Sequence, residues 1–369
     1  MKFGPEFYIP VLKLKKAEKD ALRMLSEPVR SKMLPLFEVP VRKARRKKGA
    51  RGADSALVST PLPTYLKNKF DGLAEAIELF PRILLDCREI HPDGPDAAVS
   101  AFALAAELGT AVTPVGGISR TVDTAAVMSN RKNGIAIRLM RDEFEAGRIP
   151  SELPAFVKAN SLKPHETDII VDLGPVDDMI ADGIADYAAD FLSAVPDHQS
   201  WRTLTVSGSA FPLSMRIVGN SPTSSMVVER TEWVAWRDRL FAGRDDLDRL
   251  PTFSDCAVQH PAGVEGYNHA YMKPSASLRI TQTQSDEWLL VKGASDADLG
   301  REFPRLATRL VYGNLKSHFA GISHCAGCQQ MKDAADGLPG FGTATDWRRI
   351  GTIHHITCAV RLISDLPWS

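Results

Sequence analysis

Charged side chains stand at the ends of short apolar runs along this chain, and their types suit ligand binding or acid–base chemistry. The residues concerned are Lys13, Glu38, Asp86, Arg138, Asp172, Ser207 and Asp255. If the runs are strands of one parallel sheet, these side chains converge at its carboxyl edge. Four carboxylates beside a lysine and an arginine are costly to bury unless they are paired, bound to a metal ion or in contact with a ligand.

Three kinds of chemistry fit this set, and a purely structural role fits it too. The four carboxylates could hold Mg²⁺ or Mn²⁺, which prefer carboxylate oxygens, while Lys13 and Arg138 receive a phosphate. Two of the carboxylates could instead act as acid and base on a glycosidic bond, or Lys13 could form a Schiff base. The structural alternative is a closed salt-bridge network that caps the sheet.

A cluster of cysteines and histidines near the C-terminus offers other ligands. Its members are His324, Cys325, Cys328, His354, His355 and Cys358. The C-x2-C pair is compatible with tetrahedral zinc, but the sequence has no second pair at finger spacing, and two adjacent histidines cannot easily turn toward one ion. Zinc is therefore less favoured than Mg²⁺ or Mn²⁺. We expect His355 to transfer a proton and His354 to contact a ligand, because histidine titrates near neutrality.

Three further features are candidates for binding an anionic partner. Trp347 and Arg348 could stack on and pair with an anionic or ring-bearing ligand; the alternative is a helix start whose tryptophan packs against the barrel. Arg279, on a predicted hairpin, could close over the strand ends. The basic segment 42–51 could follow a nucleic-acid backbone, although it lacks interleaved aromatic residues, and a solvated loop is the alternative.

Recurrent units of a short apolar run, a loop and an amphipathic segment position these residues. The predicted strands span 7–13, 34–39, 82–87, 111–116, 134–139, 168–173, 202–207 and 251–255, and predicted helices include 17–33, 96–108, 176–195 and 231–241. Continuous apolar runs bounded by Gly, Pro and charge are typical of parallel strands buried on both faces. Eight units in series predict an α/β fold closed as a (β/α)8 TIM-like barrel, with an open doubly wound sheet as the alternative.

The C-terminal part departs from this repeat. Residues 275–293 predict a β-hairpin, and helices follow it. We expect one barrel domain over 1–369, with a basic loop inserted at 41–60 and with the hairpin and helices of 275–369 packed on the barrel.

The composition narrows the possible partners. The 369 residues include 45 basic and 45 acidic side chains, so bulk charge indicates neither a nucleic-acid binder nor a membrane-surface protein. The sequence shows no membrane-spanning run, signal peptide or disulfide framework, and we therefore expect a cytoplasmic protein. A protein partner is compatible with these features.

Several motifs together resemble the phage beta protein family. They are Tyr8-x-Pro10-x-x-Lys13, Pro35-Leu36-x-Glu38-Val39-Pro40, Val171-Asp172-Leu173, Arg230-x-Glu232-Trp233, Ala276-x-x-Arg279 and Trp347-Arg348-x-x-Gly351-Thr352-x-His354-His355-Ile356. The family pattern has an acidic residue near Gly327, where this chain carries Cys328, and this departure further disfavours zinc. The resemblance implies a barrel-like fold and an association with phage–host conflict or mobile elements, without an established reaction.

Two hypotheses follow. The first is a metal-assisted hydrolase of a phosphoester in a nucleotide or nucleic acid, with Glu38, Asp86, Asp172 and Asp255 as ligands or acid–base groups. The second is a non-catalytic binding or sensing module for a nucleotide, a nucleic acid or a phage protein.

Overall fold

The computed structural model describes residues 3–46, 57–219, 221, 224–263, 275–295 and 298–368. Its strands are β1 (Tyr8–Lys13), β2 (Leu36–Glu38), β3 (Arg45–Arg46), β4 (Leu57–Val58), β5 (Arg82–Asp86), β6 (Ala111–Gly116), β7 (Ile135–Met140), β8 (Thr167–Pro175), β9 (Thr203–Ser209), β10 (Ser225–Glu229), β11 (Thr252–Asp255), β12 (Ser275–Thr281) and β13 (Glu287–Ser295). Its α-helices are α1 (Lys16–Arg23), α2 (Glu27–Arg30), α3 (Leu62–Phe70), α4 (Leu73–Ile77), α5 (Pro95–Ala106), α6 (Thr124–Ser129), α7 (Arg141–Glu145), α8 (Ile149–Ala159), α9 (Ala181–Ala194), α10 (Thr231–Ala235), α11 (Leu299–Val311), α12 (Ala326–Ala335) and α13 (Ala344–Ser364). A π-helical segment, Trp236–Phe241, continues α10.

Eight parallel strands form a closed barrel in the order β1-β11-β9-β8-β7-β6-β5-β2. They are the eight strands that the apolar runs predicted, and helices lie between them along the chain. The first strand pairs with both β2 and β11, so the sheet has no free edge and the open-sheet alternative is excluded. The prediction of a (β/α)8 TIM-like fold is confirmed.

Side chains inside the barrel lie in three layers, because successive residues of a strand point alternately inward and outward. The middle layer is apolar and includes Val11, Leu84 and Ile170. At the amino ends of the strands, Asp168 accepts hydrogen bonds from Arg82 and Arg202, each at 2.8 Å. Charged pairs at this end of a barrel serve stability, since barrel enzymes work at the opposite end. The third layer is the charged set at the carboxyl ends.

A second, antiparallel sheet has the order β10-β13-β12. It contains the predicted hairpin and adds β10, which the sequence analysis missed. Leu278, Phe303 and Trp347 belong to a core that this sheet shares with α11, α12 and α13. The 21-residue α13 is buried along most of its length and also contacts α1 and β1. The division of the chain into one barrel domain with an inserted loop and a C-terminal extension stays a prediction.

Among the described residues, none of the helices combines the length and the apolar character that crossing a membrane requires.

Candidate functional site at the barrel mouth

The guanidinium of Arg138, on β7, lies at the centre of the barrel mouth. Its Nη1 donates to Glu38 Oε1 at 2.7 Å and to Asp86 Oδ2 at 2.9 Å, and its Nε donates to Asp172 Oδ2 at 2.8 Å. The four side chains come from four different strands and are almost fully buried. One arginine therefore joins and neutralises three of the carboxylates that the sequence predicted to meet.

Lys13 and residues from the loops complete this arrangement. The Lys13 ammonium lies 2.6 Å from Glu38 Oε2 and also pairs with Glu89. Arg120 donates to both oxygens of Asp86, at 2.8 and 3.2 Å. We call the following eight side chains the mouth network: Lys13, Glu38, Asp86, Arg88, Glu89, Arg120, Arg138 and Asp172. Four are cations and four are anions, so the network is formally neutral.

Sequence reasoning missed the three loop members of the mouth network, Arg88, Glu89 and Arg120. Arg88 and Glu89 follow β5 directly, and Arg120 follows β6. Arg88 is about one-third exposed, and its nearest mouth carboxylate is Glu38 at 3.8 Å. The only sequence signal for these residues was their closeness to a strand end, because the path of a loop decides where its side chains point.

Burial and pairing act in opposite directions on the mouth carboxylates. Desolvation alone would raise the pKa of Glu38, but Lys13 and Arg138 outweigh it and hold that pKa at about 2. The same balance, with Arg120 and Arg138 as the cations, keeps the pKa of Asp86 well below its usual value. Carboxylates held ionised by arginine are poor proton acceptors at neutral pH. Arg138 also takes the place from which a metal ion would contact all three acids, so the geometry favours the structural alternative.

Ser207 lies on the inner face of β9 beside this network. It is buried, it aligns with Asp172 on the neighbouring strand, and its hydroxyl is 3.1 Å from that of Ser254. Its hydrogen-bond partner is thus another barrel side chain.

Asp255 does not share the mouth, and the expectation that it does is wrong. In the pairing of β11 with β1, Ser254 aligns with Ile9 and Asp255 aligns with Pro10. Ile9 belongs to the apolar cluster inside the barrel, so Asp255 lies on the outer face of the barrel. The last residue of this strand is one position out of phase with the inner face, and a shift of one residue reverses the direction of a side chain.

Asp255 organises a separate, buried group of polar residues, which we call the Asp255 centre. Its Oδ1 accepts hydrogen bonds from the Tyr8 hydroxyl at 2.5 Å and from the Ala257 amide at 2.8 Å. Its Oδ2 lies 3.0 Å from His355 Nε2, and His355 Nδ1 lies 2.8 Å from the Thr281 hydroxyl. This line of acid, imidazole and hydroxyl could relay a proton. However, these side chains are at most 1% exposed, which seals the relay from solvent in this structure.

Two more ionisable side chains adjoin the Asp255 centre. Arg230 is fully buried over two tryptophan rings, and its guanidinium lies 3.7 Å from Asp255 without a hydrogen bond to any described residue. Glu232 lines a cavity with room for about one water molecule. Burial above all, and the nearby Asp255, raise the pKa of Glu232 to about 8 against the pull of Arg230. We therefore expect this carboxyl to be protonated in the neutral-pH fold.

Glu232 should make the stability of the protein fall as the pH rises. The folded chain holds a proton on Glu232 from the ordinary pKa of about 4.5 up to about 8, whereas the unfolded chain loses it. The stability that Glu232 contributes is fully present below pH 4.5. It declines by as much as about 1.4 kcal/mol per pH unit as the pH rises toward about 8. Between pH 5 and 8, the free energy of unfolding measured with urea should fall less in Glu232→Gln than in the wild type, by up to about 1.4 kcal/mol per pH unit.

The exposed Glu229 on β10 supplies a matched control, because Glu229→Gln removes an acid from the same region without touching the Asp255 centre. Equal pH slopes for Glu232→Gln and the wild type would show that the buried carboxyl does not hold its proton.

Arg279 and Arg348 lie at the rim of the mouth, next to the loop that follows β11. Arg279 donates to the Val258 carbonyl at 2.7 Å, and Arg348 donates to Gln259 Oε1 at 2.5 Å. Burial, followed by the neighbouring Arg348, lowers the pKa of Arg279 to about 9. Within the part of the chain that the structure describes, neither guanidinium forms an ion pair with a carboxylate. Two like charges thus stand close together, with Glu18 as the nearby carboxylate and no direct ion pair to it among the described residues.

Trp347 lies apart from this rim. Its ring stacks on that of Phe303, with centroids 5.7 Å apart, and its indole N–H donates to the Phe341 carbonyl. The structure therefore places Trp347 at the start of α13 in the C-terminal core, rather than against the barrel as the packing alternative predicted.

The two adjacent histidines point toward different partners. His355 turns to Asp255, whereas His354 Nδ1 lies 3.6 Å from the Cys325 sulfur and 3.3 Å from that of Cys328. Neither ring joins the mouth network.

The basic segment 42–51 is described only in part, since residues 47–56 lie outside the described ranges. Arg42 pairs with Asp93 and donates to the Thr60 carbonyl at 2.9 Å. The other residues described, 43–46, lead into β3, which pairs with β4.

Comparison with protein families agrees with the fold and with the motifs that carry the site. A family model described as Beta protein matches residues 8–361. The chain belongs to the beta protein family. The match covers the whole barrel and nearly all of the C-terminal helices. A search of curated proteins returned no match.

Proposed function

We propose that this beta protein recognises an anionic ligand at the barrel rim without turning it over. The observation that carries the proposal is the close pair Arg279 and Arg348, neither of which forms a direct ion pair with a carboxylate among the described residues. Gln259 connects Arg348 to Glu18, whose buried carboxylate accepts from the Gln259 amide at 2.6 Å. Two guanidinium groups against one carboxylate leave a net positive charge at the rim.

A phosphate group suits this rim. Arginine presents a planar set of N–H donors that matches phosphate oxygens, and hydrogen bonds to charged groups are stronger than neutral ones. Arg348 is half-buried, so a bound anion would be partly shielded from water and more strongly attracted. We therefore propose a nucleotide or a nucleic-acid backbone as the ligand, in the cytoplasmic setting of phage–host conflict that the family resemblance suggested.

The metal-assisted hydrolase has less support. It needs carboxylates free to bind Mg²⁺ or Mn²⁺, yet Glu38, Asp86 and Asp172 are already bonded to Arg138. Displacing a buried arginine from three acids would cost more than the ion gains from them, unless the substrate supplies further ligands. The glycosidase and Schiff-base alternatives meet the same obstacle at Glu38 and Lys13.

Calorimetric titration with ATP and with a short single-stranded DNA tests the proposal. We expect at least one of them to bind the wild type with an affinity that falls as salt rises. Arg348→Gln should weaken that binding about 10-fold or more, because one charge-assisted contact contributes roughly 1.5–3 kcal/mol. ATP incubated with Mg²⁺ should release no phosphate.

Arg349 provides a matched control on the same helix. It is also half-buried, and it pairs with Asp346 and Gln330 rather than with the rim. Arg349→Gln loses the same charge and should bind within about twofold of the wild type. Equal affinities for both variants, or no binding by the wild type, would exclude the rim. Phosphate release that disappears in Asp86→Ala would support the hydrolase instead.

A further inference from the structure

A cluster of sulfur and imidazole groups joins the start of α12 to the middle of α13, away from the barrel mouth. Cys325 and Cys328 have their sulfur atoms 3.6 Å apart, and His354 Nδ1 is 3.6 Å from the first and 3.3 Å from the second. These three ligand atoms come from two helices that are far apart in the sequence. Cys328 and His354 are almost fully buried, and Cys325 is half-buried.

The spacing of these atoms fits one tetrahedral zinc ion. Zinc lies about 2.3 Å from cysteine sulfur and about 2.0–2.1 Å from histidine nitrogen. Tetrahedral angles then put two sulfurs about 3.8 Å apart and a sulfur and a nitrogen about 3.5 Å apart. The three measured separations lie close to those values, so little movement is needed to close around an ion.

The hydrogen bonding of His354 leaves the correct nitrogen for a metal. Its Nε2 lies 2.7 Å from the Thr281 carbonyl oxygen on β12, and a carbonyl can only accept. The Nε2 atom therefore carries a proton, and in the neutral imidazole, the form that binds a metal, Nδ1 faces the two sulfurs with a free lone pair. Ligating histidines usually donate their other N–H to a carbonyl or carboxylate in this way. The objection that adjacent histidines cannot share an ion does not apply, because His355 faces Asp255.

A second group of potential ligands adjoins the same imidazole. Cys358 lies one turn after His354 on α13, and its sulfur is 3.3 Å from His324 Nε2 and 3.6 Å from His354 Nε2. The ligand atoms of His324, His354 and Cys358 all lie within 4.8 Å of one another. Cys358 meets His354 at Nε2, whereas Cys325 and Cys328 face Nδ1, so this second group lies on the other side of the imidazole and is separate from the Cys325–Cys328–His354 set.

The packing around Gly327, between the two cysteines, points to the same arrangement. A Cβ at this position would lie 2.8 Å from the Ile350 carbonyl oxygen and 3.4 Å from the Cys325 sulfur. The start of α12 therefore approaches α13 more closely than a side chain would permit. This close approach is what brings both sulfurs within reach of His354.

We propose that Cys325, Cys328 and His354 bind a Zn²⁺ ion, with a water molecule in the fourth position. The ion joins α12 to α13 and, through the Thr281 carbonyl, to β12. Zinc would bind only the folded chain tightly, so its binding free energy adds to the stability of the C-terminal part.

The full chain, purified with thiol reductant and without a metal-affinity step, tests this site. Elemental analysis should find about one zinc per chain. Removal by a chelator should lower the melting temperature, and Zn²⁺ alone should restore it. Co²⁺ added to the stripped protein should give thiolate-to-cobalt charge-transfer bands and the visible bands of a tetrahedral site. Cys328→Ser should abolish both zinc content and cobalt bands, and Cys325→Ser, which is less buried, repeats the test if the first variant does not fold.

Cys256 provides the control, because it is a buried cysteine outside this cluster. Cys256→Ala should keep its zinc. A wild type that contains no zinc and gives no cobalt bands after reduction overturns the proposal. So does a Cys325–Cys328 disulfide found by mass spectrometry in protein kept under cytoplasm-like reducing conditions, since that result assigns the pair to redox chemistry.

Discussion

Replacement of Arg138 by methionine should lower the free energy of unfolding by about 3–5 kcal/mol at neutral pH. The change removes the guanidinium that bonds to Glu38, Asp86 and Asp172. It leaves three ionised carboxylates close together inside the barrel, with Lys13, Arg120 and the partly exposed Arg88 to offset them. Urea unfolding followed by circular dichroism measures the loss.

Lowering the pH should narrow the difference in unfolding free energy between this variant and the wild type. The folded wild type holds the pKa of Glu38 at about 2, below the ordinary value of 4.5, so its extra stability is present above pH 4.5 and is lost as the pH falls toward 2. The variant has no such stability to lose, because its acids take up protons more readily. Arg141→Met removes an arginine just after β7 that pairs only with the exposed Glu145 and should cost less than about 1 kcal/mol. Equal losses for the two variants, or a difference independent of pH, would contradict a buried network.

The barrel could be predicted from sequence because each of its strands is buried on both faces. Such strands are short, continuous apolar runs bounded by loops, and eight of them occur in series here. The strand β10 escaped detection for the opposite physical reason. It pairs only with β13, at the edge of the small sheet, and Met226 and Val227 on it are exposed, so its short apolar run does not mark a buried strand.

The mouth acids were predictable where the strand pattern fixes the direction of the last side chain. Along β2 and β5, Glu38 and Asp86 are in phase with the inward-facing Leu36 and Leu84. The last strand gives no such guide, because β11 is short and carries polar side chains at successive positions, Ser254 and Asp255. Its phase became clear only from its pairing with β1.

Contacts between distant parts of the chain were beyond sequence reasoning. Nothing in the spacing of His354 and His355 shows that one faces two cysteines and the other faces Asp255. The loop residue Arg120 reaches Asp86 only because of the path the chain takes after β6. The residue types in a sequence predict which side chains are suited to a given kind of chemistry. Which of these side chains pair with each other depends on distances that only the folded chain defines.

The Asp255 centre should be as sensitive to mutation as the barrel mouth, although it shares no contact with it. Asp255→Ala removes the acceptor of the Tyr8 hydroxyl and of the Ala257 amide, and it leaves His355 without its carboxylate. It also removes the carboxylate that lies 3.7 Å from the fully buried guanidinium of Arg230. An uncompensated buried charge together with unsatisfied donors should cost about 3–5 kcal/mol of unfolding free energy. Urea unfolding at pH 7 provides the measurement.

A double-mutant cycle with Arg230 separates the charge from the hydrogen bonds. Asp255→Asn keeps an oxygen for Tyr8 and Ala257 but removes the negative charge, so most of its cost should come from Arg230. In an Arg230→Met background, where that cation is replaced by an apolar side chain of similar length, the same substitution should cost about 1–3 kcal/mol less. Additive losses in the two backgrounds would mean that Asp255 acts only through Tyr8, Ala257 and His355. A coupling of the expected size would show that Asp255 is the counterion that allows an arginine to remain buried between two tryptophan rings.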